Sequence, residues 1–138
     1  MAIPLYPVPR SLQITGGTVR PPAPLTVSGA PARMLETVPG LSARPAAEGW
    51  VRLALGEPRE AGPEAYRLDV AADGVRILAR TPTGQRWALA TLVQLLRACP
   101  DGLPCLEIED APAFRERGFM LDIARDRVPT MATLYDLV

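Results

Sequence analysis

Arg117 to Arg125 reads RGFMLDIAR, and from Phe119 to Ala124 the one polar side chain is Asp122. A strand covered on one face alternates apolar and polar residues. This stretch does not, which fits a strand covered on both faces, as in parallel sheets and barrels. Pro129 then precedes Thr130, Met131, Ala132, Thr133 and Leu134, a helix start. The sequence ends at Val138, inside that helix, so a strand that needs parallel neighbours has none after it. The expectation is a longer protein whose second domain opens at residues 113–138, behind a first domain of residues 1–112.

At 138 residues, 48% hydrophobic and 22% charged, the chain can bury a core without a disulfide staple. Fifteen arginines balance fifteen acids, and lysine is absent. That balance gives no electrostatic reason to expect nucleic acid or an anionic membrane as partner. The absence of histidine removes histidine triads, ligands and proton shuttles from this stretch. Cys99 and Cys105 lack the further ligands of a zinc site and read as small, half-buried thiols rather than a disulfide. No cofactor is implied. The proline-broken start MAIPLYPVPR has neither the basic nor the long apolar region of a secretory signal, so cytoplasmic is the default location.

Eleven of the sixteen prolines precede Ala65, so short elements are expected there. Ser11 to Ile14 and Thr18 to Arg20 flank Gly16-Gly17 and read as a hairpin of edge strands. Leu25 to Ser28 reads as a strand, Ala32 to Val38 as two turns of helix, and Trp50 to Leu55 as an alternating strand. Ala65 to Val70 and Val75 to Ala79 alternate around Asp73-Gly74 and form the firmest hairpin. Gln85 to Arg97 is a helix, with Trp87, Ala88, Thr91, Leu92, Leu95 and Leu96 on one stripe assigned to the core. Leu89 and Val93 fall off that stripe, so the helix is expected to be covered on two sides. Cys105 to Ile108 is a short strand, and Glu109 to Pro112 a link.

Glu107 and Glu109 lie two apart on that strand and point to one side. Such a pair can do acid/base work on glycosides, but with no partner nearby it reads as a solvated strand edge. Glu57, Glu60 and Glu64 read as solvated loop acids. Asp122 and Arg125 are the polar groups in an odd setting. At the mouth of a barrel strand an arginine can grip hydroxyls or a carboxylate with its fork of donors; a structural ion pair is the equal alternative.

Three stretches in order resemble glycoside hydrolase family 20, the β-N-acetylhexosaminidases. They are EAYRLDVAADGVRILA (Glu64 to Ala79), TPTGQRWALATLVQLL (Thr81 to Leu96) and LEIEDAPAFRERGFMLDIAR (Leu106 to Arg125). In the second, Gly84, Leu89, Thr91, Leu92, Gln94 and Leu95 fit the family pattern. The resemblance implies an α+β domain, a mainly antiparallel sheet with helices packed on one face, followed by the truncated start of a (β/α)8 barrel. It implies that Arg125 binds hydroxyls of a terminal N-acetylhexosamine and that Asp122 orients it. Where the family continues with histidine and an aromatic, this chain has Asp126-Arg127-Val128. The family's catalytic Asp-Glu pair lies on later barrel strands, where the substrate's acetamido group is the nucleophile. These residues alone are therefore expected to be inactive. A stand-alone accessory or carbohydrate-binding module is the alternative. Either way the expected partner is carbohydrate, and the uncovered apolar strand favours self-association.

Overall fold

The structure is a computed structural model that describes residues 3–118, 120–122 and 128–136. The predicted hairpin sits at the middle of its sheet: β5 (Tyr66–Ala71) pairs antiparallel with β6 (Gly74–Ala79), with Leu68 opposite Ile77. Tyr66, Leu68 and Val70 are buried, while Arg67 and Asp69 point to the other face, as the alternation requires. Gly74 turns the hairpin at φ 124°, and a Cβ there would lie 2.3 Å from the Trp50 carbonyl oxygen.

On one side of the hairpin run β4 (Val51–Leu55), β2 (Leu25–Ser28) and β3 (Ala43–Pro45). β4 is parallel to β6, and β2 is parallel to both β4 and β3. On the other side β7 (Leu103–Asp110) pairs antiparallel with β5, and β1 (Ser11–Val19) pairs antiparallel with β7. The sheet therefore has seven strands in the order β1-β7-β5-β6-β4-β2-β3 and is mixed, not mainly antiparallel. Side-chain alternation in a short strand is the same whichever way its neighbour runs, so β4 gave no warning of a parallel partner.

Three further expectations change. Ser11 to Arg20 is no hairpin: it is one strand along β7, with a bulge between Ile14 and Thr18 where Gly16 and Gly17 take φ of 98° and 88°. β7 is consequently interior, and Glu107 and Glu109 do not lie on a sheet edge. Residues 120–122 form no strand, and Met120 is 92% exposed. Phe119 and residues 123–127 lie outside the described residues, Arg125 among them.

Helix α1 (Ala32–Glu36) follows β2, and α2 (Pro82–Ala98) follows β6. Leu89, Leu92 and Leu95 of α2 are fully buried in one core with Val51, Leu68, Ile77 and Ile108 of the sheet, and Leu35 and Val38 join it. Each such leucine contributes about 1.5–3 kcal/mol of burial. Cys99 and Cys105 are free thiols. Helix α3 (Met131–Asp136) forms where Pro129-Thr130 predicts it, capped by a hydrogen bond from the Thr133 N–H to Thr130 Oγ1 at 3.3 Å, and it buries none of its residues.

Candidate functional site

One face of α2 is turned away from the sheet core. Trp87, Ala90, Thr91 and Gln94 repeat at helical spacing along it. They line a groove of about 490 Å3, closed on one side by the N-terminal residues Tyr6 to Val8 and on the other by the strap from Ala111 to Phe114. Trp87 is 36% exposed, so it is not the core residue that the apolar stripe suggested. The buried stripe is rotated toward Leu89 and Val93, and that rotation turns the indole outward.

Gln94 pins the N-terminal wall to the helix, and Arg10 ties that wall to the strap. The Gln94 amide brackets Tyr6, its oxygen accepting the Tyr6 N–H at 2.8 Å and its nitrogen donating to the Tyr6 carbonyl at 2.9 Å. Arg10 donates from its backbone N–H to Asp110 Oδ1 at 3.2 Å, from Nε to the Ala111 carbonyl at 2.9 Å, and from Nη1 to Glu60 at 3.0 Å. Beneath them the Tyr66 hydroxyl shares a 2.7 Å hydrogen bond with Thr91 and donates to Asp110 Oδ2 at 3.2 Å. Burial lifts this phenol well above its usual range and the Asp110 charge adds to that, against the Thr91 hydrogen bond. Tyr66 therefore stays protonated and serves as a donor, not a base.

The strap is held by Glu64. Its Oε2 accepts from Trp87 Nε1 at 2.8 Å and from Arg117 Nη2 at 2.6 Å. The guanidinium of Arg117 also lies 5.6 Å from the Trp87 ring centre, within cation–π range, as does that of Arg86 at 5.8 Å. The Arg117 hydrogen bond holds the Glu64 carboxyl below its usual range, against desolvation and with help from Trp87 and the Arg117 charge. Glu60 and Glu64 are thus engaged structural acids rather than solvated ones, while Glu57 is exposed and pairs with Arg80 at 2.5 Å.

The other face of the sheet carries Arg67 among Asp69, Glu107 and Glu109, at 2.9, 3.2 and 3.7 Å. Glu109 is 9% exposed and also accepts the Arg59 N–H at 3.2 Å. Glu107 and Glu109 share a face, as their spacing predicts, but they are spent on Arg67 rather than left to solvent. In the groove, the Asp110 carboxylate is likewise engaged, by Tyr66 and Arg10, and the Gln94 amide is used at both ends.

Of the two predicted sugar-binding residues, Asp122 is exposed on a segment without regular structure, and Arg125 lies outside the described residues. Trp87, Glu64 and Arg117 were not singled out in the sequence as interacting residues. The spacing of Trp87, Ala90, Thr91 and Gln94 was the signal available, a second helix face carrying one aromatic between polar neighbours.

Comparison with known proteins bears directly on this domain. Residues 2–111 match the family described as glycosyl hydrolase family 20, domain 2. The chain belongs to that family. It is 44% identical over 78 residues to a beta-N-acetylhexosaminidase of Cellulomonas fimi, a match covering 54% of this chain and 16% of that protein. It is 41% identical over 69 residues to a beta-hexosaminidase of Akkermansia muciniphila, covering 48% of this chain and 14% of the relative. The chain thus spans well under a quarter of these relatives. The fold matches that of a beta-N-acetylhexosaminidase from Bacteroides fragilis with a TM-score of 0.75 at 21% identity, over 96% of this chain and 29% of the other. An exo beta-N-acetylglucosaminidase from Vibrio harveyi, solved in complex with N-acetylglucosamine, matches with a TM-score of 0.74 at 23% identity, over 98% and 23%.

Proposed function

We propose that this chain is the front part of a β-N-acetylhexosaminidase that removes terminal N-acetylhexosamine by substrate-assisted retaining hydrolysis. The observation that carries the reading is the match of residues 2–111 to a family 20 domain, in relatives several times longer than this chain. Residues 1–112 serve as the non-catalytic α+β platform. Residues 113–138 open the catalytic barrel, with Arg125 gripping the sugar's hydroxyls and Asp122 orienting it. The chemistry belongs to an Asp-Glu pair on later barrel strands, so the 138 residues alone do not turn over. Against a purely carbohydrate-binding role stands the groove's use of Gln94, Tyr66, Asp110 and Arg117 in bonds within the protein.

The test is incubation of the chain with a chromogenic N-acetylglucosaminide, beside a polypeptide that continues through the barrel. The expected result is turnover by the longer protein and none above the no-protein blank by the chain. Turnover by the chain alone, or a reading frame that ends here, sinks the proposal.

A further inference from the structure

We propose that β1 is a docking edge for a second copy of this chain: two β1 strands pair antiparallel about a two-fold axis at Gln13 and join the two sheets into one. The proposal does not depend on the hexosaminidase reading. The sheet has two ends, and they differ. β3 is three residues long and closes on Pro45, which has no N–H to offer a further strand. β1 is nine residues long, and between Arg10 and Arg20 it holds no charge and no proline. Among the described residues β7 is its one partner strand, and residues 13–18 are exposed. The outer row of N–H and C=O groups on β1 is therefore open to another strand, without the charges that usually keep one away.

The strand's own geometry chooses the occupant and the register. The Arg10 N–H is taken by Asp110, and the bulge lies between Ile14 and Thr18, so the regular edge runs from Ser11 to Ile14. Groups on one side of a strand belong to every second residue, and antiparallel partners face each other like for like. A strand paired with its own copy must therefore turn about a residue, not about the bond between two. Turning about Leu12 would set Arg10 against Ile14 of the other copy, and turning about Ile14 would set Leu12 against Gly16 in the bulge. Turning about Gln13 sets Leu12 against Ile14 twice over, Gln13 against Gln13, and Ser11 against Thr15. Leu12 and Ile14 lie on the core face, opposite Ile108 and Leu106 of β7, and Ile14 is 57% exposed. The second copy thus covers an apolar side chain that the fold leaves bare, with hydroxyl against hydroxyl and amide against amide on the other face. No like charges meet, and the contact closes at two copies. Five residues a side bury less than the roughly 1,200 Å2 of a stable interface, so the dimer is weak, with a Kd of about 0.1–1 mM.

The test uses the chain carrying Val128→Asp and Met131→Asp, which removes two exposed apolar side chains near its end as a competing contact. Sedimentation equilibrium up to about 1 mM is expected to show a monomer–dimer equilibrium. Ile14→Lys is expected to weaken it at least about tenfold and Ile14→Val to leave it within about threefold. The Tm of the dilute chain should stay unchanged in both, because Ile14 is mostly exposed. Register is read by oxidation. Gln13→Cys faces its own copy and is expected to cross-link about tenfold faster than Ser11→Cys, whose two copies lie about 14 Å apart. The parent, with Cys99 and Cys105 as free thiols, is the blank. A monomer throughout, or a dimer indifferent to Ile14→Lys, overturns the proposal. Equal cross-linking at the two positions overturns the axis at Gln13. A dimer that vanishes in a polypeptide continuing past Val138 gives the edge to that continuation and overturns the proposal for the longer protein.

Discussion

Arg67 faces three carboxylates across two strands, and their depths differ. The Glu109 side chain is nearly enclosed, Asp69 is partly covered, and Glu107 is almost half exposed. Removing the cation should therefore hurt mostly through Glu109, whose charge would be left desolvated with the Arg59 N–H as its remaining partner. Arg67→Met is expected to cost about 1–3 kcal/mol, discounted from a fully buried pair because Arg67 itself is part exposed. Glu107→Gln is expected to cost less than about 1 kcal/mol. Urea unfolding of both variants checks this; equal losses would mean that depth does not decide the cluster's energetics. The period-two spacing put Glu107 and Glu109 on one face correctly. That Glu109 is covered could not be read, because the cover comes from β1, nearly 100 residues earlier, and from Arg67 on β5.

At the scale of single elements, α2 was the most legible and also the most instructive. Its span is close to the one predicted from periodicity, lengthened at its start by Pro82 and by Thr81, whose hydroxyl accepts the Gly84 N–H. Its orientation was misread. With Trp87 and the alanines counted beside the leucines and valine, apolar residues go round the whole helix, so counting them does not say which meet the sheet, and Trp87 lies on the outer side. Gly84 marks where the helix comes closest to the strands: a Cβ there would sit 2.8 Å from the Ala65 carbonyl oxygen and 3.2 Å from the Ala79 Cβ. Alanine is worth up to about 1 kcal/mol over glycine in an unhindered helix. Here the backbone contact outweighs that gain. Gly84→Ala is expected to lower stability by about 1–3 kcal/mol, since α2 must shift off β5 and β6 to accept the methyl. Thermal unfolding decides it, and a rise in Tm would show that the approach is looser than the geometry implies.

For the molecule as a whole, the hairpin, the long helix and the helix start at Thr130 followed from local pattern, while the strand order did not. Three parallel pairings join segments separated by connections that carry no register signal. The same distinction explains the outer end of the chain. Phe114, Met120, Val128, Met131 and Tyr135 are all more than half exposed, and α3 buries nothing. Apolar side chains left in water over one continuous segment seek cover, and in a solution of this chain the available cover is another copy. The groove beside Trp87 offers a largely apolar surface for them, with Gln94, Tyr66 and Asp110 already bonded within the protein. The expected outcome is concentration-dependent association in sedimentation velocity across the micromolar range. The paired change Val128→Asp and Met131→Asp should return the chain toward monomer without moving its Tm, because neither side chain contributes to the core. A clean monomer of the unaltered chain at every concentration would show that these residues tolerate exposure, and the association expected of the uncovered segment would be wrong.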